Sequence, residues 1–83
     1  MYHLVYDRRI ERDVRPIPRD QRRGLLERIA TLSIEPRRPQ VEKLTGVDGY
    51  RLRVGDYRVL LTIDDRRRVV TVYRILHRRE AYR

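Results

Sequence analysis

Cysteine, tryptophan and phenylalanine are absent from this 83-residue chain, and histidine and serine are scarce. The lack of cysteine excludes disulfides and thiolate metal sites, and it leaves the redox compartment open. His3 and His77 lie near opposite ends of the chain, and Ser33 lies outside any hydrolase motif. The four glycines form neither a dinucleotide-binding loop nor a phosphate-binding loop. We therefore expect no metal and no small-molecule cofactor.

Long apolar segments are also missing. No run approaches the roughly 20 apolar residues of a membrane-spanning helix, and residues 1–7 lack the basic and apolar regions of a signal peptide. These absences predict a cytoplasmic protein with no membrane partner. We expect a single domain over residues 1–83, because a chain of this length rarely holds more. Its working surface should be shallow, since so small a core leaves no room for a deep cavity.

Positive charge is abundant. The formal net charge is +9 at pH 7, and Lys43 is the only lysine among the 21 basic residues. So basic a surface attracts polyanions, of which nucleic acid is the commonest. Arginine suits phosphate because it is permanently charged and presents a planar fork of donors. A GC-rich genome also raises the arginine content, so the placement of the arginines is more informative than their number.

The hydrophobic pattern predicts an α+β fold with the element order β-α-α-β-β-β. Residues 2–6 are aromatic and β-branched, as in a short strand. One helix is predicted after Asp7 and ends at Pro16, and a second runs from about Pro18 to Ser33. From Gly49 onward the alternation of apolar and polar residues indicates three strands. This order predicts an antiparallel sheet with a helical hairpin packed on one face.

Three arginines fall on one face of the predicted sheet. The dipeptide Gly55-Asp56 suits a two-residue hairpin turn. That turn sets Arg53 directly opposite Arg58 and places Arg51 on the same face, while the apolar residues between them point into the core. We expect this face to be exposed, with no acidic residue of these two strands facing it, since Asp56 and Asp64 sit at turns. Like charges opposite one another cost stability, which a bound phosphodiester would offset. The alternative is that each arginine extends into water or pairs with a nearby carboxylate.

A face with three arginines suits the cleavage of RNA without a metal. The 2′-OH attacks the adjacent phosphate, and this needs a base, cations for the pentacoordinate charge and an acid for the leaving oxygen. The candidate catalytic residues are Arg51, Arg53, Arg58, His77, Arg78 and Tyr82. His77 is the candidate base, because histidine is the side chain whose ordinary pKa lies nearest neutrality. A lone histidine near a C-terminus is more often solvated, however, and Tyr82 could simply pack onto the sheet.

Three stretches of the chain resemble the RelE/ParE toxin superfamily. They are Lys43-Leu44-Thr45-Gly46, the segment YRLRVGDYRV at residues 50–59, and the ending HRREAYR at residues 77–83. The order of elements also matches, so the resemblance covers nearly the whole chain. It implies the toxin of a type II toxin–antitoxin system, with a compact α+β fold and a cognate antitoxin that wraps it. The RelE branch implies an endoribonuclease, or mRNA interferase, that cuts mRNA in the ribosomal A site.

The resemblance also implies roles for individual residues. Arg51 and Arg53 match basic residues of the RelE branch that serve in proton transfer and phosphate contact. Arg58 and Arg78 match residues that stabilise transition-state charge, and Tyr82 matches one that activates the 2′-OH or stacks on a base. RelE-branch toxins carry lysine at the first two positions, and arginine is a poor acid or base, so His77 could take over part of the proton transfer. The residues expected to contact RNA are Lys43, Arg51, Arg53 and Arg79.

Two other functions fit the same sequence. Toxins of the ParE branch inhibit DNA gyrase and need no catalytic set. A plain nucleic-acid-binding module would bind RNA with a steep salt dependence and never cut it. The expected partners of an mRNA-cleaving toxin are the ribosome, mRNA and an antitoxin with an acidic or amphipathic segment.

Overall fold

Five strands and three helices make up the part of the chain that the computed structural model describes, residues 1–81. The strands are β1 (His3–Tyr6), β2 (Val41–Lys43), β3 (Tyr50–Val54), β4 (Tyr57–Asp64) and β5 (Val69–His77). The helices are α1 (Arg9–Val14), α2 (Arg19–Ala30) and α3 (Arg78–Ala81), and a 3₁₀ turn at Thr31–Ser33 extends α2. Over these residues, no helix is long and apolar enough to cross a membrane.

The strands form one sheet in the order β1-β5-β4-β3-β2, with α1 and α2 packed on one face. The predicted α+β architecture is confirmed. The sheet differs from the prediction in two respects: β1 pairs parallel to β5, and β2 adds an edge strand beside β3. The pattern of apolar residues could not reveal β2, because three residues are too few to display an alternation.

The core lies between the helices and one face of the sheet. Its buried apolar side chains are Ile10, Ile17, Leu25, Ile29, Leu32, Leu52, Val59, Leu61, Val70, Val72 and Ile75. The hairpin register is the predicted one, since Val54 pairs with Tyr57 and Leu52 with Val59. Gly55 opens the turn with a φ of +55°, a left-handed conformation that glycine adopts without steric cost.

An irregularity in the β4–β5 ladder changes which residues of β5 face the helices. Leu60 pairs with Arg74 and Leu61 pairs with Val72, so Tyr73 is an extra residue in β5. A bulge of this kind shifts the alternation of side chains by one position. Val72 therefore faces the core before the bulge, and Ile75 faces it after the bulge.

A carboxylate from α1 accepts hydrogen bonds from the part of β5 that does not pair with β1. The pairing with β1 ends at Val72. Beyond that point, Asp13 Oδ2 accepts the backbone N–H of Ile75 and the Nε–H of Arg74, both at 2.9 Å. Asp13 Oδ1 also accepts a hydrogen bond from Arg74 Nη2 at 3.2 Å, and the Asp13 side chain is only 8% exposed. Asp13 thus replaces the missing strand neighbour and joins the helical layer to the sheet.

We predict that Asp13→Ala lowers the free energy of unfolding by about 2 kcal/mol, because it leaves a backbone N–H without a partner and frees Arg74. Asp13→Asn is the matched control: it keeps one acceptor oxygen and should cost about half as much. Urea denaturation of the three proteins measures both effects. Equal midpoints for the alanine variant and the parent would contradict this account of the sheet edge.

A second cluster joins the N-terminus, the loop after α2 and the β4–β5 turn. The Arg37 guanidinium donates to both carboxylate oxygens of Asp65 at 2.8 Å, and the Tyr2 hydroxyl donates to Oδ1 at 2.6 Å. Arg37 also stacks over the Tyr50 ring, 5.3 Å from its centroid. The hydrogen bonds from Arg37, followed by that from Tyr2, lower the pKa of Asp65 to about 2.

The lowered pKa of Asp65 predicts how this cluster responds to acid. A carboxyl group with a depressed folded-state pKa stabilises the fold above its unfolded-state pKa, near 3.9, and that stabilisation is lost as the pH falls toward 2. Asp65→Asn should therefore lower the urea midpoint at about pH 6 and leave it unchanged at about pH 2. A difference of equal size at both pH values would show that the charge of Asp65 is not responsible.

Candidate active site

Arginine side chains project from the face of the sheet that points away from the helices. Arg53 pairs directly with Arg58 across the β3–β4 hairpin, and Arg51 lies two residues before Arg53 on β3. Residues paired across adjacent strands project to the same side. We call this surface the arginine face and define it by Glu42, Arg51, Arg53 and Arg58. The convergence of the three arginines is the one that the turn predicted.

Glu42 on β2 is the acidic member of the arginine face. It pairs with Arg51 in the β2–β3 ladder. Its Oε2 accepts Arg51 Nη2 at 2.9 Å, and its Oε1 accepts Arg53 Nη2 at 3.2 Å. The hydrogen bond from Arg51, together with the nearby charges of Arg53 and Arg51, lowers the pKa of Glu42. The acidic neighbour of the arginines thus comes from β2, a strand that was not predicted, and not from the two strands of the hairpin.

Arg58 is buried, which corrects the expectation that this face is exposed. Its residue exposure is 6%, against a side-chain exposure of 50% for Arg53. Arg58 lies on β4, with Arg53 opposite on one side and Leu76 of β5 opposite on the other. Its Nη1 donates to the carbonyl oxygens of Gly55 and Tyr57, each at 2.9 Å. The side chain therefore also holds the hairpin turn, and removing it would disturb the fold.

Two buried donors of the arginine face have no hydrogen-bond partner within residues 1–81. They are the Nε–H groups of Arg51 and Arg58, and Arg22 and Arg38 carry similar groups elsewhere. A buried donor without a partner costs about 1–3 kcal/mol. These Nε–H groups are shielded from solvent, so an anion on this face would first meet the exposed part of the guanidinium groups, above all that of Arg53, whose planar fork suits phosphate. The arginine face can therefore bind and neutralise a phosphodiester.

The turn also positions Arg78 at the end of the arginine face. The backbone N–H of Arg78 donates to the carbonyl oxygen of Asp56 at 2.6 Å, and its Nη1 lies 3.8 Å from Asp56 Oδ1. Arg79, the next residue in α3, is exposed. Its backbone N–H donates to His77 Nδ1 at 3.3 Å. Arg78 is thus held at the hairpin tip, beside Asp56.

Two of the predicted site residues lie on the opposite side of the sheet. His77 pairs with Tyr57 and meets its ring edge-on, with 5.5 Å between the centroids, on the side that faces the helices. The β5 bulge puts it there. Lys43 pairs with Tyr50, and its Nζ lies 6.0 Å from the centroid of that ring, also on the helix side. Neither residue joins the arginine face. Tyr82, the remaining candidate, lies outside the described residues.

A metal would find few ligands in this chain. Within residues 1–81, no three histidine or acidic side chains come together as a metal site would require. The donors that do converge are guanidinium groups, which carry positive charge and offer no lone pair to a cation. The arrangement instead supplies fixed positive charge, hydrogen-bond donors and one carboxylate, which is the set that charge stabilisation at a phosphate needs.

A family model described as the ParE toxin of the type II toxin–antitoxin system parDE matches residues 4–82. None of the curated proteins matches. Solved structures do match, and those at 25% identity or more include three toxin–antitoxin complexes.

The first of these is the RelBE2 complex of Mycobacterium tuberculosis, with a TM-score of 0.83 and 28% identity over 92% of this chain and 96% of that chain. The archaeal RelE–RelB complex of Pyrococcus horikoshii OT3 has a TM-score of 0.81 and 29% identity over 93% of this chain and 94% of that chain. The intact E. coli RelBE complex has a TM-score of 0.76 and 26% identity over 90% and 94%. With the family model covering almost its whole length, the chain belongs to the RelE/ParE superfamily of type II toxin–antitoxin toxins.

Proposed function

We propose that this toxin is a metal-independent endoribonuclease that cuts mRNA in the ribosomal A site. The observation that carries the proposal is the convergence of Arg51, Arg53 and Arg58 on one face of the sheet. A face built this way matches the charge that develops when the 2′-OH attacks a phosphate. The likeness to RelE toxin structures supports the same choice.

In the proposed reaction the 2′ oxygen attacks the adjacent phosphorus in line, and the bond from phosphorus to the 5′ oxygen breaks. The 5′ oxygen leaves with a proton taken from solvent water, and the products are a 2′,3′-cyclic phosphate and a free 5′-OH. Arg53 and Arg58 bind the non-bridging oxygens and stabilise the added negative charge, while Arg51 and Arg78 hold the flanking backbone. Because the site is shallow and its groups are few, positioning of the mRNA by the ribosome supplies part of the rate.

Glu42 is the proton acceptor in this proposal. Arginine stays protonated and cannot act as a base, and His77 lies on the other face of the sheet. Glu42 is the carboxylate within the described part of the arginine face. Its contacts with Arg51 and Arg53 lower its pKa and weaken it as a base, so it can act only once those arginines have turned to the phosphate. An incoming phosphate would compete for Arg51 and Arg53 and release the carboxylate to the 2′-OH. Tyr82 stays a prediction for base stacking or 2′-OH activation.

The first test uses Arg53→Ala, because Arg53 is half-exposed and makes no contact with the turn. We expect cleavage of mRNA on programmed ribosomes, mapped by primer extension, to fall by about a hundredfold. Arg23→Ala is the matched control: it removes the same charge from an exposed position on α2 and should leave cleavage within about twofold, as surface substitutions usually do.

If Arg53→Ala and Arg23→Ala lowered mRNA cleavage equally, the arginine face would act only through general electrostatic attraction, and the site assignment would be wrong. Binding of RNA without any cut, by the parent protein on ribosomes and on free RNA alike, would instead indicate a plain nucleic-acid-binding module. Arg58→Lys is a useful addition, since a change to alanine would also remove the two hydrogen bonds that hold the turn.

The second test asks whether Glu42 moves a proton. Glu42→Gln keeps a hydrogen-bond acceptor for the arginines and removes the basic oxygen. We expect the cleavage rate to fall by about a hundredfold and its dependence on acidic pH to disappear, while RNA affinity stays equal or rises. An unchanged rate would exclude Glu42 as the base. If RNA affinity and cleavage rate fell together, the role of Glu42 would be limited to aligning Arg51 and Arg53.

The proposed partners follow from the same reading. The related solved structures named above are toxin–antitoxin complexes, and we infer a cognate antitoxin for this chain too. A net charge of +9 favours an acidic antitoxin, and it also favours the ribosome and mRNA as polyanionic partners. A toxin acting on translating ribosomes would work in the cytoplasm.

Inhibition of DNA gyrase is the second candidate function, and one observation favours it: the matching family model is that of the ParE toxin. The two candidates differ in what the arginine face does. A gyrase inhibitor would slow DNA supercoiling by purified gyrase and leave ribosome-bound mRNA intact. An endoribonuclease would cut ribosome-bound mRNA and leave DNA supercoiling by purified gyrase unchanged.

A further inference from the structure

The bulge in β5 places an aromatic ring on the same side of the sheet as the arginine face. Val72 is buried in the core, so Tyr73, the next residue, projects to the other side of the sheet. Arg74 projects there as well, since Ile75 is again buried in the core. Bulges re-aim side chains and are frequent beside active sites. Here the bulge adds a tyrosine to the side of the sheet that α1 and α2 do not cover.

The Tyr73 side chain lies along the sheet surface. A Cβ atom built on Gly49, the residue before β3, would be 3.3 Å from the Tyr73 hydroxyl oxygen and 3.2 Å from the carbonyl oxygen of Leu61. Because β4 separates β5 from β3, the ring must extend across β4 to bring its hydroxyl to Gly49. Gly49 has a φ of +140°, which side-chain-bearing residues rarely adopt, and it leaves room for the hydroxyl. Tyr73 is partly exposed, so the ring offers solvent a surface that is fixed in position.

Positive charge lies on both sides of the ring. On one side, Arg9 Cζ is 5.9 Å from the centroid of the Tyr73 ring, and the Arg9 side chain is 55% exposed. On the other side is the arginine face, because Arg51 pairs with Leu60, and Leu60 pairs with Arg74, the residue after Tyr73. The ring therefore continues the cationic surface of the candidate active site and gives it a flat apolar element.

Single-stranded RNA is the ligand whose chemistry matches this surface. It combines an anionic backbone with flat bases, and proteins bind it by pairing a basic surface with aromatic rings on which the bases stack. The arginine face supplies the cations, and Tyr73 supplies the ring. A single partly exposed ring is a small anchor for a protein segment, whereas one stacked base changes affinity by about tenfold.

We propose that the Tyr73 ring stacks against the base of an mRNA nucleotide next to the phosphate that the arginine face binds. This inference rests on the proposed function for the identity of the RNA. Neighbouring strands are about 4.8 Å apart, and the ring already extends across β4, so one nucleotide can span the gap to Arg51. Arg9 has an exposed side chain and leaves the ring for a backbone phosphate as the base arrives. Because every base has a flat face, this contact fixes the position of the mRNA with little sequence preference.

Two fluorescent oligomers test the proposal by anisotropy titration. One is a short 2′-O-methyl oligoadenylate, which cannot be cleaved because its methylated 2′ oxygens cannot attack the phosphate. The other is an abasic oligomer of the same length, which carries the same phosphates and no bases. We expect Tyr73→Leu to weaken binding of the oligoadenylate by about tenfold and to leave binding of the abasic oligomer unchanged. Tyr73→Phe keeps the ring and should bind both oligomers as the parent does.

Tyr6→Leu is the matched control, because Tyr6 is 42% exposed and pairs with the buried Val72, on the side of the sheet that faces the helices. It should bind both oligomers as the parent does. Parental affinity of Tyr73→Leu for the oligoadenylate would overturn the proposal. Equal losses with both oligomers would also overturn it, because the substitution would then act on the arginine face or on the fold and not on stacking.

The nuclease and the stacking site fail separately. If the parent preferred the oligoadenylate to the abasic oligomer, lost that preference in Tyr73→Leu and yet cut no mRNA on ribosomes, the nuclease would be refuted and the stacking site supported. If the parent cut mRNA but bound the two oligomers equally well, the nuclease would stand and the stacking site would be refuted.

Discussion

The two-residue turn at Gly55 and Asp56 is the constraint on which the two sides of this molecule depend. It fixes Arg53 opposite Arg58 and Leu52 opposite Val59, so the arginines lie on one face of the hairpin and the buried apolar side chains on the other. A slip of one residue would bury the arginines under the helices and expose the core. The left-handed Gly55 and the hydrogen bonds from Arg58 to the turn carbonyls both oppose such a slip. Arg58 therefore serves the fold and the candidate site together, and its two roles cannot be separated by deletion.

The arginine face has a built-in electrostatic cost that its neighbours only partly offset. Glu42 supplies one negative charge to two guanidinium groups, and the turn supplies carbonyl dipoles to a third. The two buried Nε–H groups stay without partners in the described part of the chain. If the proposed function holds, guanidinium groups fixed in this way need little reorganisation when charge develops at a phosphate. Stability and function are opposed here, as expected where a small fold carries a polyanion site.

The sequence predicted the long elements and the face of each residue in the hairpin, because alternation over five or more residues and a glycine turn define a register unambiguously. The prediction failed where a strand was too short to show a pattern, or where a feature depended on contacts between residues distant in the sequence. The strand β2 has three residues, so Glu42 was missed. The extra residue at Tyr73 depends on how β5 packs beside β4, so the helix-side position of His77 was not visible either. The burial of Arg58 follows from having neighbours on both sides, which becomes apparent only once the strand order is known.

Arginine is so common in this chain that its presence near a site means little, and the surroundings of each arginine are what distinguish them. On α1 and α2, exposed arginines such as Arg12, Arg19 and Arg23 make no ion pair within the described residues and supply diffuse attraction for any polyanion. On the arginine face, burial and cross-strand pairing fix the guanidinium groups at defined positions. Diffuse charge accelerates encounter with RNA, whereas fixed donors act at one phosphate.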